Sequence, residues 1–206
     1  MPVVRTGQRR YLPSSERKEE ILDAAFEEFS ETSYNGTTIE RIATRAGLSK
    51  AGIYAHFQNK EEIFGALMER FLIPKTFGED CLPMKDVDLD TFVDIYLGHM
   101  YALVENPAFL KVFRLLMTES ERTPELVARW REGTVVAMQR RHQAFIDAYV
   151  AQGAVRASAL TENFWPLSIA PLSTWVIAEL VKCPLSTLAQ TYAANRTLLL
   201  ELLRPQ

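Results

Sequence analysis

Gly47 stands between two short apolar stripes, and that juxtaposition constrains the chain more than any other feature. Ahead of it, Ile39, Ile42, Ala43 and Ala46 fall at i, i+3, i+4 and i+7, one face of a helix. A hydroxyl at Thr37 or Thr38 can cap that helix by accepting from the free N–H groups of its first turn. Glycine is the residue for which a left-handed corner costs least. Beyond it, Leu48 is expected to point inward and Ser49 to cap a second helix. Ile53 and Phe57, four apart, give that helix its apolar stripe, and its other face shows Lys50, Ala51, Gly52, Tyr54, Ala55 and His56. Ala43, Gly47 and Ile53 are then the three anchors of a helix-turn-helix: a small residue where helices approach, a corner, and a branched plug.

Charge points the same way. From Arg41 to Lys60 there are Arg41, Arg45, Lys50 and Lys60 and no acid, in a chain of 206 residues with net charge −3. A local basic face on an acidic protein suits a phosphate backbone. A helical hairpin whose basic face is merely solvated is the other reading.

The run ILDAAFEEFSETSYNGTTIERIATRAGLSKAGIYAHFQNKEEIFGALMER carries more. It resembles the DNA-binding domain of TetR-type transcriptional regulators, from about Ser15 to Phe71. The elements that carry the likeness are ILDAAFEEF, Gly36-Thr37-Thr38, IATRAGLSKAGIYAHF and Lys60-Glu61-Glu62. The family often has glycine then threonine after the lysine of its recognition helix. Here Ala51 and Gly52 follow Lys50, and Gly52 has no side chain to offer a base edge, which implies a different operator.

Composition agrees with a helical chain. Hydrophobic residues make up 48%, and with 9 glycines, 10 prolines and no alternating apolar–polar runs the expected class is all-α. The reading is a flexible arm over 1–13 with Arg5, Arg9 and Arg10, a three-helix helix-turn-helix domain over 14–73, and a C-terminal helical domain over 74–206. About nine helices are expected. The part through Phe71 carries −1 and the rest −2, so neither is a polycation and affinity must come from placed charges. Cys81 and Cys183 have no ligand or redox spacing and read as buried reduced thiols of a cytoplasmic protein. No signal-peptide core or bilayer-spanning run is present, so no membrane partner is expected. No metal spacing, phosphate loop or catalytic arrangement of residues is found, so neither an enzyme nor a cofactor is expected. A helical enzyme, or a ligand-binding protein without a DNA role, is the alternative.

Along the chain, Ser14 or Ser15 caps helix 1, whose buried face is Ile21, Leu22, Ala25, Phe26 and Phe29. Tyr34 packs near its end and Asn35-Gly36 turns. Asn59 caps helix 4, Pro74 ends it, and Lys75 to Asp86 is a loop. Five helices follow: Asp88 to Glu105, one restarted by Asn106-Pro107, Thr123 to Ala151, Leu160 to Val181, where Pro166 and Pro171 imply a kink or a late helix start at Pro166, and Pro184 to Leu203.

The resemblance also implies roles. Thr38, Tyr54, His56 and Lys60 look like phosphate binders, with Thr37 and Ser49 beside them at helix starts. At the reading surface Lys50 can donate to guanine, Ala51 can touch a thymine methyl, Gly52 lies next to them, and Arg45 can reach a phosphate or a guanine. The partners are a palindromic double-stranded operator and a second copy of the chain, paired through the segment from 160 to 181 and the last helix, with Leu185, Leu188, Tyr192, Leu199 and Leu202. A small effector, hydrophobic or aromatic, is expected among the C-terminal helices. Candidate contacts are Phe64, Met68, Phe92, Tyr96 and Met100, then Phe109, Phe113 and Met117, then Trp130, Met138, His142, Phe145 and Trp175. Any one of these can equally be plain core.

Overall fold

The computed structural model describes residues 13–73 and 87–205. The arm with Arg5, Arg9 and Arg10, the proline stop at Pro74, the 75–86 loop and Cys81 lie outside the described residues. Every regular element among the described residues is helical. The chain divides into two compact units, one through Leu67 and one from Met68. The division falls inside a helix, earlier than Pro74.

The first unit holds α1 (Ser14–Gly36), α2 (Ile39–Arg45), α3 (Lys50–Tyr54) and most of α4 (Lys60–Leu72). Ile21, Ala25, Phe29, Ile42, Ala43, Ile53, Phe57, Ile63, Phe64 and Leu67 are buried and form its core. Helix α1 is not regular to its end. Ser33 has φ 65° and ψ 171°, so the turn expected at Asn35-Gly36 begins earlier. A Cβ at Gly36 would lie 3.3 Å from that of Thr32, a tight contact. Tyr34 then packs edge-on to Phe64, 5.5 Å between ring centres.

The second unit holds α5 (Leu89–Glu105), α6 (Phe109–Arg122), α7 (Pro124–Trp130), a π-helical turn (Arg131–Val135) and α8 (Val136–Ala151). It continues with α9 (Ala159–Glu162), α10 (Phe164–Ser168), α11 (Ala170–Leu180) and α12 (Leu188–Leu203). Two expectations need correction. The helix from Thr123 to Ala151 is interrupted: Val136 N–H donates to the carbonyl of Arg131, five residues back. The helix from Leu160 to Val181 is three helices, broken at Asn163 (φ −132°) and Ile169 (φ −101°). Pro166 and Pro171 therefore sit in the first turns of α10 and α11, where no intrahelical donor is lost. These breaks raise the element number above the nine expected. The last helix also starts later than Pro184. Thr187 caps it by accepting from Gln190 N–H, and Gln190 returns a bond to the Thr187 N–H.

The core of this unit is rich in rings. Phe92 packs on Phe145 and Tyr149 at 5.1 and 5.2 Å, and Phe164 on Tyr96 at 5.0 Å. Helix α12 lies against α5, joined by Arg196 donating to both oxygens of Asp94. Cys183 is exposed, which corrects the expectation of a buried thiol.

Candidate nucleic-acid interface and ligand cavity

In the first unit the corner residue does what its position demands. Gly47 has φ +66°, and Leu48 N–H reaches back to the carbonyl of Ala43 at 2.8 Å. Thr38 caps α2 by accepting from Arg41 N–H, Ser49 caps α3 by accepting from Gly52 N–H, and Asn59 accepts from Glu62 N–H at the start of α4. Ile53 of α3 and Phe57 just beyond it are buried, which turns the rest of α3 outward. Lys50, Ala51 and Ala55 are exposed, Tyr54 is 48% exposed, and Gly52 and His56 are half-buried. His56 Nδ1 lies 3.4 Å from the Ser14 hydroxyl.

The cations of the acid-free stretch are not a bare basic face. Glu28 is buried and accepts from Arg41 Nε and Arg45 Nε, both at 2.7 Å. Arg45 also donates to Glu27 at 2.7 Å and Glu31 at 2.6 Å, so each of its three nitrogens faces a carboxylate of α1. The two arginine hydrogen bonds hold the Glu28 carboxyl below the usual carboxylate range, against the opposing effect of burial. Lys50 pairs with Glu40 of α2, an exposed contact. Lys60 donates inward, to the carbonyls of Tyr34 (2.7 Å) and Thr37 (2.8 Å), and its ammonium lies 4.3 Å from the centre of the Tyr34 ring.

Three of the residues expected at the DNA have partners inside the unit. Thr37 is buried, its hydroxyl donating to the carbonyl of Ser33. Arg45 is a strut between α2 and α1. Lys60 ties the end of α1 to the start of α4.

In the second unit a cavity of about 230 Å³ lies among the end of α4, where Leu72 lines it, α5, α6, α7, the π turn, α8, α10 and α11. Met100, Phe109, Phe113, Trp130 and Met138 line it. The π turn has a visible effect on the wall: Trp130 and Val135, five apart, both face the cavity. The other expected contacts are elsewhere. Phe92, Tyr96 and Phe145 fill the ring core, and Met68 is fully buried without reaching the cavity. Phe64 belongs to the first unit, packed on Phe29 and Tyr34. Met117 is 53% exposed, and Trp175 is half-buried against the core.

His142 does not line the cavity either. It is buried beside Trp165, 4.6 Å between ring centres, with Nδ1 2.8 Å from the carbonyl of Met138. Burial lowers its pKa, opposed by that backbone contact. Tyr96 O–H meets the Ser168 hydroxyl, and burial pushes its pKa up. Of the residues expected in a dimer contact, Leu199 is buried in its own unit, while Leu188, Tyr192 and Leu202 pack partly against that core. Leu185 is 73% exposed and precedes α12. Among the described residues no group of three or more His, Cys, Asp and Glu could hold a metal, and no helix is long and apolar enough to cross a membrane.

Residues 21–67 match the family described as bacterial regulatory proteins, tetR family. Residues 95–161 match the C-terminal domain of AefR-like transcriptional repressors. The HTH-type transcriptional repressor AcnR of Corynebacterium diphtheriae is 31% identical over 153 residues, which span 74% of this chain and 68% of that protein. The chain belongs to the TetR family. The match to RutR of Escherichia coli K12 is shorter, 36% identity over 86 residues, and spans only 41% of that protein's length. In fold, a TetR-family regulator from Pseudomonas syringae superposes with a TM-score of 0.70 at 22% identity, over 91% of this chain and 96% of the other. The NalD repressor of Pseudomonas aeruginosa does so with 0.64 at 20% identity, over 93% and 98%.

For a TetR-family chain the aliphatic part of the cavity wall was the part missed. Ile169, Leu172, Ser173, Val176 and Ile177 line it from the segment that includes α11, at spacings of three and one. Leu103 and Val104 follow Met100 in the same rhythm on α5. That rhythm is visible in the sequence, but weighting rings and methionines over aliphatics hid it.

Proposed function

We propose that this TetR-family protein is a dimeric, sequence-specific DNA-binding regulator, acting as a repressor whose grip on a palindromic operator is released by a small apolar ligand in the cavity of the second unit. One observation carries the reading: Ile53 of α3 and Phe57 just beyond it are buried, which leaves Lys50, Ala51 and Tyr54 on an open face behind a capped corner. With Arg45 and Lys60 engaged inside the unit, base choice falls to Lys50 and Ala51, and backbone contact to Thr38, Ser49 and Tyr54. A second copy supplies the matching helix about one DNA turn away, roughly 34 Å. The apolar surface for that copy is Ile177, Val181 and Leu198, all exposed on or next to α11 and α12, together with Leu185. Release works through α4. Leu72 of α4 lines the cavity and Thr134 of the π turn donates to Glu69 of α4 at 2.8 Å, so a ligand there meets the helix that leads to the first unit both directly and through the turn that carries Val135. Coupling of this kind is typically about 1–3 kcal/mol, or 5- to 150-fold in affinity.

A gel shift with the DNA upstream of its own gene tests the reading. Lys50→Ala is expected to weaken binding and blur sequence choice. Lys60→Met is expected to lower the melting temperature of the first unit rather than alter which sequence is chosen. Unchanged binding in Lys50→Ala contradicts the assignment of α3.

A further inference from the structure

The cavity of the second unit has almost no polar wall, and one buried donor beside it has no acceptor among the described residues. None of the described residues lining it is charged. Side-chain polarity is confined to the hydroxyl of Ser173, an exposed residue, the indoles of Trp130 and Trp165, and the weakly accepting sulfurs of Met100 and Met138. The Trp130 Nε1 is buried, and among the described residues nothing accepts its proton. Buried donors in native proteins are nearly always met, by protein, by water or by a ligand.

The geometry points to a neutral, largely apolar molecule of one or two rings bearing a single hydrogen-bond acceptor, which the Trp130 N–H meets; carboxylates and phosphates are rejected. This rests on the cavity being the effector site. Volume and the lack of countercharge fix the class. An apolar cavity of about 150 Å³ accepts benzene, so about 230 Å³ suits a somewhat larger molecule. An ionised group placed against this wall would lose its water and find no countercharge. A neutral carbonyl, ether or ring nitrogen keeps one hydrogen bond and gives up little else.

Three molecules of nearly one shape test it: 2-acetylnaphthalene, 2-isopropylnaphthalene and 2-naphthoate, each measured by equilibrium dialysis with the full chain at pH 7.5. The ketone is expected to bind at least about 100-fold more tightly than the carboxylate. In Trp130→Phe the ratio of ketone to hydrocarbon affinity is expected to drop about 3- to 10-fold, the share of one buried hydrogen bond. An independent reading uses wild-type protein labelled with ¹⁵N-tryptophan. The chain has three tryptophans. The Trp130 indole signal, assigned with Trp165→Phe and Trp175→Phe, should move downfield with the ketone and not with the hydrocarbon. Naphthoate binding as tightly as the ketone, or an indole signal and affinity ratio indifferent to the carbonyl, overturns the ligand class and leaves the effector site standing. Failure of all three to bind overturns both.

Discussion

Both units have apolar cores, but they differ in what is added to them. In the first, α2 and α4 are fastened to α1 by charge: Glu28 between Arg41 and Arg45, and Lys60 across the carbonyls of Tyr34 and Thr37. In the second, rings and branched aliphatics fill the space, and the cavity that remains is lined by the same kinds of side chain. The contrast teaches that a cation near a reading helix is not thereby a DNA contact. Of the four in the acid-free stretch, only Lys50 both points outward and is tied by nothing stronger than an exposed pair.

If the second unit depends on packing, Phe164→Ala should be the most damaging of the substitutions considered. Its side chain is fully buried against Phe92 and Tyr96, and the loss is expected to be about 3–5 kcal/mol and insensitive to salt. Denaturant unfolding followed by tryptophan fluorescence reads it cleanly, because all three tryptophans lie in this unit.

The first unit should respond to charge instead. Glu28→Gln is expected to cost about 2 kcal/mol, the range for hydrogen bonds to charged groups. Amide exchange in α2 is the readout, with less protection in the variant and a smaller gap in high salt. The pH sign follows from a depressed carboxyl. The Glu28 contribution is complete above its unfolded value near 4.5 and is lost as pH falls through the lower folded value. Glu28→Gln should remove that acid dependence from α2 exchange.

The smallest effect is expected at His142, where burial favours the neutral ring. Below about pH 6.5 the unfolded chain takes up a proton that the folded chain resists. The second unit should therefore lose up to about 1.4 kcal/mol per pH unit until the lowered folded value is reached. In His142→Gln the tryptophan-detected stability should be flatter over that range. An unchanged slope would show that another group sets it.

What the sequence disclosed follows the range of the forces involved. The caps at Thr38, Ser49 and Asn59 and the corner at Gly47 are local, settled within a few residues, and were legible. The partners of Arg45 were not: Glu27, Glu28 and Glu31 lie 14 to 18 residues away on another helix, so a stretch without acids looked like a surface without them. The kink residues Pro166 and Pro171 signalled a disturbance, but whether a proline bends a helix or opens a new one depends on Asn163 and Ile169 leaving helical angles, which packing decides. The π turn has no proline to mark it. The aromatics and methionines split between wall and core because both environments favour the same residue types, and only the tertiary arrangement separates Met100 from Phe92.

The central claim is that α3 reads DNA through Lys50 while the other cations of its stretch support the fold. Selection of bound duplexes from a random pool by the whole protein tests it most directly. The account predicts a two-fold symmetric motif from the wild type, and from Lys50→Ala a motif degraded at the same one or two positions in each half-site. No enriched sequence, or an identical motif from Lys50→Ala, would contradict it.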